Sequence, residues 1–207
     1  MGKKIILTIG RQFGSGGRDI GKKLAEDLHI SYYDKELMAV AAKESGLCEE
    51  VFRKADERAS SSLSYAFTMG YSYMGMFTPY MDVLSNDRLF KLQSDAIVRL
   101  AEKESCVLVG RCADYILRDH PDCLSFFIHG SIESRVQRIV ERQHITVEEA
   151  RELMEKTDKS RAAYYNYYTN KVWGMASSYN FSIDSSILGV DETVEFIKAF
   201  IEKRNRL

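Results

Sequence analysis

The sequence predicts an α/β fold in which helices flank a parallel sheet. Five short apolar runs, the first of them rich in β-branched residues, recur along the chain, and helical patterns follow them. Apolar runs without polar alternation are typical of strands that are buried on both faces of a sheet. Strands that alternate with helices indicate right-handed crossovers, which make neighbouring strands parallel. Ligands of such sheets bind beyond the carboxyl ends of the strands, so the residues that follow the strands are the candidates for function.

The first strand and the loop after it carry the strongest signal. Residues 5–9 form a predicted strand, and the loop over 10–17 contains four glycines in eight residues. Apolar residues then repeat every four positions through 20–28, which predicts a helix that begins near Arg18. Such a loop directs backbone N–H groups and the positive end of a helix toward one point, where a phosphate is the expected ligand. The predicted phosphate contacts are Gly14, Ser15, Gly16, Gly17 and Arg18.

The loop departs from the standard phosphate-binding pattern G-x-x-x-x-G-K-[ST]. Gly10 and Gly16 are one residue too far apart for it. Gly17 stands in the place of the lysine, and Arg18 stands in the place of the hydroxyl residue. A glycine-rich turn without a ligand is the alternative, but the strand before the loop and the helix after it favour phosphate binding. Arg18 is the candidate for the missing cation, although its planar guanidinium differs from the point charge of a lysine.

The remaining elements continue the alternation. Further strands are predicted over 30–34, 106–109, 124–128 and 180–184. Helices are predicted over 35–44, 49–58 and 89–104. Two more are predicted to begin after the N-cap Ser131 and at the capping box 146–149. A closing helix is predicted from Val190, Val194, Ile197 and Ile201, which fall on one face.

The segment 60–85 is apolar on two helical faces, one rich in leucine and phenylalanine and the other in tyrosine and methionine. A helix of this kind is buried on both sides, or is buried on one side and offers the other to a partner. Core packing, a homodimer contact and a mobile substrate flap are all compatible with the pattern.

Two polar residues beyond the strand ends are candidates for binding an acceptor. Asp34 suits a hydrogen bond from a hydroxyl or the role of a base, and its alternative role is the N-cap of the helix that follows. Arg111 suits a phosphate because its fork of donors matches two oxygens, and its alternative role is an ion pair with Asp114.

A group of cations lies over 156–161, between the fourth and fifth strands. In this place Lys159 and Arg161 would belong to a flap that closes over the phosphates. The alternative is local pairing, because Asp158 and Arg161 are three residues apart on a predicted helix.

Composition excludes several classes of protein. A formal charge of −1 argues against a partner that is a nucleic acid polymer. No stretch of about 20 apolar residues occurs, so we expect no membrane span. The four cysteines, Cys48, Cys106, Cys112 and Cys123, form no C-x-x-C pair, which disfavours a metal site and favours buried thiols in a reducing cytoplasm.

These motifs, in this order, resemble the nucleoside monophosphate kinases and most closely the cytidylate kinase-like proteins. IGRQFGSGGRDIGKKLAEDL is similar to their phosphate loop and first helix, and Tyr33-Asp34 to the step that opens their acceptor site. VLVGRCADYIL is similar to the turn whose arginine holds the acceptor's phosphate. DKSRAAYY resembles their lid motif, and NFSIDSSILGVDETVEFI resembles their last strand and helix.

The resemblance implies a P-loop kinase core, in which five parallel strands take the order 2-3-1-4-5. The implied organisation is a single domain over 1–207, with a core of 1–34, 105–142 and 178–207, a helical acceptor-binding insert at about 35–104 and a lid at about 143–177. It also implies ATP-dependent phosphoryl transfer, with Mg²⁺, to a nucleoside monophosphate such as CMP or dCMP. In that comparison Arg18 and Arg111 hold the donor and acceptor phosphates, and Lys159 and Arg161 close over them.

Three features of the family are replaced in this chain. Gly17 replaces the lysine, Arg18 the hydroxyl residue after it, and Val109 the aspartate before the glycine-arginine pair. The hydroxyl and the aspartate organise magnesium in such kinases, so other ligands are needed here. The candidates are Ser15, Asp19 and Asp114. The replacements leave two alternatives open: a non-catalytic nucleotide-binding regulatory module, and a kinase of a non-nucleotide metabolite.

Overall fold

The computed structural model of the protein describes residues 4–34 and 79–205. The chain divides into two compact units, one formed by Met1–Tyr32 with Glu104–Leu207 and the other by Tyr33–Lys103. The helices predicted over 35–58 and most of the two-faced segment 60–85 lie outside the described residues. No helix within the described ranges has the length and apolar character needed to cross a membrane.

A five-stranded sheet organises the fold, with the strand order β2-β3-β1-β4-β5. Strand β1 pairs in parallel with β3 and with β4, and β4 pairs in parallel with β5. The predicted α/β class and the predicted strand order are therefore confirmed. The elements in chain order are β1 (Ile6–Arg11), α1 (Gly17–Asp27), β2 (Ser31–Tyr33), α2 (Pro79–Lys103), β3 (Cys106–Val109), α3 (Ala113–Ile116), β4 (Cys123–His129), α4 (Ile132–Gln143), α5 (Val147–Thr169), a 3-10 turn (Ala176–Ser178), β5 (Phe181–Asp184) and α6 (Ser185–Asn205).

The central strands are buried on both faces, as their apolar runs predict. All four residues of β3 are fully buried, and so are Ile6, Leu7 and Ile9 of β1. One face of the sheet packs against α1 and α6 in a single core cluster, to which Leu24 and Ile197 contribute from the two helices. This packing fixes the carboxyl ends of β1, β3 and β4 at one edge, and with them the start of α1.

Local capping signals set several helix ends. Ser131 caps α4 by accepting a hydrogen bond from the Ser134 N–H. Thr146 and Glu149 form the capping box predicted at the start of α5. Helix α2 is helical from Pro79 on, ten residues before the predicted start. Helix α6 bends at Gly189, whose φ of 73° lies in the left-handed region, so the predicted closing helix is its second part.

Candidate active site

The glycine loop between β1 and α1 is closed by internal hydrogen bonds. Gly14 and Gly16 both have φ of 78°, a left-handed conformation that favours glycine. The fully buried Ser15 donates from its hydroxyl to the Gln12 carbonyl at 2.9 Å and accepts from the Gly17 N–H at 3.4 Å. A β-carbon on Gly14 would lie 2.7 Å from the Arg135 carbonyl oxygen, so close packing also requires glycine there.

The loop is fastened to the neighbouring strand and helix through Gln12 and Ser15. The Gln12 N–H donates to the Ile128 carbonyl at 3.0 Å, and its side-chain oxygen accepts from the Gly130 N–H at 3.2 Å. The Ser185 hydroxyl, at the start of α6, donates to the Ser15 carbonyl at 2.5 Å. The end of β4 and the start of α6 therefore hold the loop in register.

A buried ion pair holds the backbone of Phe13. Asp158 on α5 accepts from the Phe13 N–H at 2.8 Å, and Arg135 on α4 donates from Nε to the Phe13 carbonyl at 2.8 Å. Arg135 and Asp158 also pair with each other, and the Arg135 side chain is only 5% exposed. We call this arrangement of three residues the Phe13 clamp.

Helix α4 presents three arginines to the loop at helical spacing. Besides Arg135, Arg138 donates to the Gly14 carbonyl at 2.6 Å. Arg142 donates to both carboxylate oxygens of Asp19 at 2.8 and 3.0 Å. These arginines are not among the residues predicted from the sequence, although positions 135, 138 and 142 fall on one helix face and that periodicity was the available signal.

The side chains that donate to the carbonyls of the glycine loop also determine the direction of its N–H groups. The Phe13, Gly14 and Ser15 carbonyls are all held by side chains from α4 or α6. A trans peptide places the N–H of the next residue on the side opposite to the carbonyl, and the described residues contain no cis peptide. The N–H groups of Gly14 and Gly16 are therefore directed away from these anchors, where they can face an anion, whereas the Ser15 N–H donates to the Gln12 carbonyl at 3.4 Å.

The two predicted flap cations differ in their surroundings. Arg161 donates to the Arg11 carbonyl at 2.9 Å and lies 5.6 Å from the centre of the Phe13 ring. Burial lowers the pKa of Arg161, and the nearby Asp158 opposes that shift. Lys159 is exposed and forms an ion pair with Glu155 at 3.7 Å. The carboxylate of Asp158 belongs to the Phe13 clamp, in which it binds the Phe13 N–H and Arg135.

The turn after β3 places Arg111 beside α5. Gly110, Arg111 and Cys112 have consecutive positive φ values of 83°, 56° and 56°. The Arg111 guanidinium lies 5.6 Å from the centre of the Tyr164 ring. Burial raises the pKa of Tyr164 to about 12, so this ring is neutral beneath the cation at physiological pH.

Asp114 lies in the same turn, and its partner is Tyr165, whereas the alternative considered from the sequence was an ion pair with Arg111. The Tyr165 hydroxyl donates to Asp114 Oδ2 at 2.8 Å. Burial raises the pKa of Asp114, and the Tyr165 hydrogen bond partly opposes this. Burial also raises the pKa of the neighbouring Cys112 thiol to about 12, which makes it a poor nucleophile and metal ligand.

The other predicted residues are placed as follows. Arg18 lies exposed in the first turn of α1, and Asp34 is buried, with 6% exposure, in the Tyr33–Lys103 unit. Of the three magnesium candidates, Asp19 is engaged by Arg142, Asp114 by Tyr165, and Ser15 by the loop itself. Within 4–34 and 79–205, no group of three or more histidine, cysteine or acidic side chains is arranged to hold a metal ion. These side chains do not form a preformed metal site.

A cavity of about 340 Å³ adjoins the loop at Gln12. Phe127 and Trp173 form its aromatic wall, with ring centres 5.3 Å apart and ring planes at 89°. His129 and Ser182 add polar groups from β4 and β5. Its size and mixed lining suit a small planar molecule.

The chain is similar to known cytidylate kinases over nearly its whole length. The chain is 27% identical to a cytidylate kinase of Methanopyrus kandleri, covering 96% of this chain and 93% of that protein. It is 24% identical to a cytidylate kinase of Pyrococcus horikoshii, with 96% and 89% covered.

Among solved structures, an uncharacterised protein from Eubacterium ventriosum superposes with a TM-score of 0.71 at 31% identity, over 96% of this chain and 99% of that one. A shikimate kinase from Bacteroides thetaiotaomicron superposes with a TM-score of 0.53 at 13% identity, over 96% and 98%, which is a likeness of fold. The sequence model of the cytidylate kinase-like family matches residues 6–187. The chain therefore belongs to the cytidylate kinase-like family.

Proposed function

We propose that the protein transfers the γ-phosphoryl group of ATP to a nucleoside monophosphate, with CMP or dCMP as the acceptor. The observation that carries the proposal is the anchored glycine loop, whose Phe13, Gly14 and Ser15 carbonyls are held from outside, which leaves the N–H groups of Gly14 and Gly16 on the other side as proposed phosphate donors. Membership of the cytidylate kinase-like family supports the same reaction class.

The donor's phosphates bind at this loop. Backbone N–H groups and the helix dipole favour the negative charge of a triphosphate without any rearrangement. Arg18, exposed at the first turn of α1, adds a cation at the mouth of the loop. The cavity beside Gln12 is the proposed place for the donor's base, because the partly exposed Trp173 offers aromatic surface there.

The acceptor's phosphate binds Arg111 in this proposal. The guanidinium fork binds two phosphate oxygens, and the Tyr164 ring beneath it limits its freedom. A phosphate oxygen of the acceptor then forms a bond to the γ-phosphorus while the bond to the bridging oxygen breaks. ADP leaves with that electron pair, and because the attacking phosphate is already ionised, no base is needed for the transfer.

The residues over about 143–177 serve as the lid in this proposal. Lys159 can swing toward the phosphates because its exposed pair with Glu155 is worth no more than about 1 kcal/mol. Arg161 acts from a fixed position, since its bond to the Arg11 carbonyl holds it at the loop.

Magnesium enters this proposal only as the counterion of ATP. When bound, it neutralises charge on the phosphates. Such ions are held largely by phosphate oxygens and water, with one or two protein ligands. Ser15, Asp19 and Asp114 have other partners within the described residues, so no step is assigned to them through the metal.

An ADP-release assay across a panel of monophosphates tests the proposal. We expect turnover with ATP and either CMP or dCMP, and loss of roughly 10- to 100-fold in kcat/KM for Arg111→Ala, because a charge-assisted bidentate contact is removed. Arg118→Ala is the matched control, since Arg118 is exposed and lies over Tyr115 outside the loop. No turnover with any nucleoside monophosphate would refute the proposal.

A nucleotide-binding module without catalysis is the second candidate. The glycine at position 17 and the engagement of both candidate acids favour it. Tight ATP binding without ADP release under any condition of the panel would establish this alternative. Release of ADP only with non-nucleotide metabolites would instead identify a kinase of another acceptor class.

A further inference from the structure

Two glycines define the path of the Arg11 side chain. A β-carbon on Gly17 would lie 2.6 Å from Cβ and 3.2 Å from Cγ of Arg11. A β-carbon on Gly110 would lie 2.0 Å from one terminal nitrogen of Arg11 and 3.0 Å from its Cζ. The stem of Arg11 therefore crosses directly over Gly17, and its guanidinium lies against the backbone of Gly110. A side chain at position 17 would collide with the stem of Arg11, whereas at position 110 it would meet only the flexible end of Arg11.

Gly17 is the position at which the standard loop carries its lysine. Here the space next to that position is filled by Arg11, which comes from the last residue of β1. We infer that Arg11 replaces the lysine as the cation on the transferring phosphoryl group. This inference rests on the proposed function and names a residue that the sequence pattern does not assign.

The location of the guanidinium supports this role. Arg11 ends β1 and Gly110 follows β3, so the guanidinium lies at the carboxyl edge between two adjacent strands. In the proposed reaction the donor phosphates lie on the β1 side of that edge and the acceptor phosphate at Arg111 on the β3 side. A cation between them faces the γ-phosphoryl group during transfer, where charge stabilisation has the largest effect on rate.

The backbone of Arg11 is held firmly enough to position such a group. Its carbonyl accepts from Arg161 at 2.9 Å, and its register partner is Ile128 on β4. Arg161 lies in turn over Phe13, which the Phe13 clamp fixes. The side chain has little freedom at its base, so less entropy is lost when the guanidinium binds phosphate.

The other arginines near the loop are less suited to the role. Arg138 donates to the Gly14 carbonyl, and thus lies on the anchored outer side of the loop. Arg142 donates to Asp19 on α1, whereas the side chain that lies over Gly17 is Arg11. Arg18 is exposed on α1, where it follows Gly17 in the chain and does not lie over it.

Arg11→Met is the variant that tests the inference, because it keeps an unbranched stem over Gly17 and removes the charge. Calorimetric titration with ATP and with ADP, each with magnesium, measures the contact with the terminal phosphate. We expect ATP affinity to fall roughly 10- to 100-fold, as for the loss of charge-assisted hydrogen bonds, and ADP affinity to fall less. Arg11→Lys should retain part of the ATP affinity, and Arg118→Met should bind as the wild type does. Thermal unfolding of each variant confirms that it is folded.

A charge swap gives a second, independent test. Arg11→Gly removes the two Arg11 stem atoms that crowd position 17, so in the double variant Arg11→Gly/Gly17→Lys the nearest remaining atom to the lysine β-carbon is Cβ of Ile128 at 3.2 Å. We expect the double variant to bind ATP at least roughly tenfold more tightly than Arg11→Gly alone. Gly17→Lys in the presence of Arg11 should lower the unfolding temperature, because the two stems collide.

The outcomes separate this inference from the proposed function. Wild-type protein that binds ATP without turnover defeats the proposed function, and the ATP-to-ADP affinity ratio of Arg11→Met still decides the role of Arg11 in binding. If folded Arg11→Met keeps the wild-type ATP-to-ADP affinity ratio, the inference is overturned even though the protein turns over as a kinase. The same holds if the double variant binds ATP no more tightly than Arg11→Gly. Wild-type protein that does not bind ATP overturns both.

Discussion

Substitution of Asp158 tests how the loop is held in place. Its carboxylate accepts the Phe13 N–H at 2.8 Å and pairs with Arg135, whose side chain is 5% exposed. In Asp158→Ala the Arg135 guanidinium stays buried without its carboxylate, and the Phe13 N–H loses its acceptor. We expect the free energy of unfolding to fall substantially.

The magnitude follows from the burial of the pair. Removing one partner of a buried ion pair costs about 3–5 kcal/mol, because an uncompensated charge is left in the interior. The Asp158 side chain is 16% exposed, so water can partly solvate the site after truncation. This places the expected loss near the lower end, at about 3 kcal/mol.

Equilibrium unfolding in urea, followed by two optical probes, measures this loss. Asp119→Ala is the matched control, because Asp119 is 88% exposed and pairs with the half-exposed Arg118 at 3.4 Å. The control should lose no more than about 1 kcal/mol. Adding Arg135→Met to Asp158→Ala should restore part of the stability, since the unpaired charge is then removed. If Asp158→Ala is no less stable than the control, the Phe13 clamp does not have the role assigned to it.

Three further predictions concern the loop and the turn beside it. Gly16→Ala should lower the free energy of unfolding by about 1–2 kcal/mol, because an alanine at φ of 78° is strained, and should weaken ATP binding by calorimetry. Ser185→Ala should cost about 1–3 kcal/mol in urea unfolding, because the Ser15 carbonyl loses its donor in a buried site. Burial raises the pKa of Asp114, so the folded protein holds a proton that the unfolded chain releases, and stability falls as pH rises from about 4. Asp114→Asn carries no such charge, still accepts from Tyr165, and should therefore gain stability relative to wild type as pH rises above about 4.

Each of these predictions has a result that contradicts it. Wild-type stability in Gly16→Ala would show that the left-handed conformation is not required. An unchanged unfolding midpoint in Ser185→Ala would mean that the Ser15 carbonyl has another donor. A stability difference between Asp114→Asn and wild type that stays constant with pH would show that this carboxyl titrates normally.

The central strands could be predicted from sequence because burial on both faces leaves a continuous apolar run. Strand β3 spans Cys106–Val109, the residues predicted, and β5 differs from its prediction by one residue. The caps at Ser131 and Thr146 were likewise confirmed, since capping depends on residues close in the chain. The strand order came from the family resemblance, because strand order depends on contacts between distant segments that periodicity does not encode.

The partners of the charged residues could not be predicted in the same way. Asp158 and Arg161 are three residues apart, and local pairing was one interpretation, yet Asp158 pairs with Arg135 and Arg161 reaches the Arg11 carbonyl. These contacts join α5 to α4 and β1, so only the packing of the elements determines them. The path of Arg11 is similar, because it depends on the absence of side chains at two glycines far apart in sequence.

The most direct test of the proposed reaction follows the phosphoryl group itself. The protein is incubated with ATP labelled in its γ-phosphate, magnesium and CMP, and the products are separated. The account predicts that the label appears in CDP at the same rate as ADP forms. Label that stays in ATP, or that appears only in inorganic phosphate while CMP is unchanged, would contradict it.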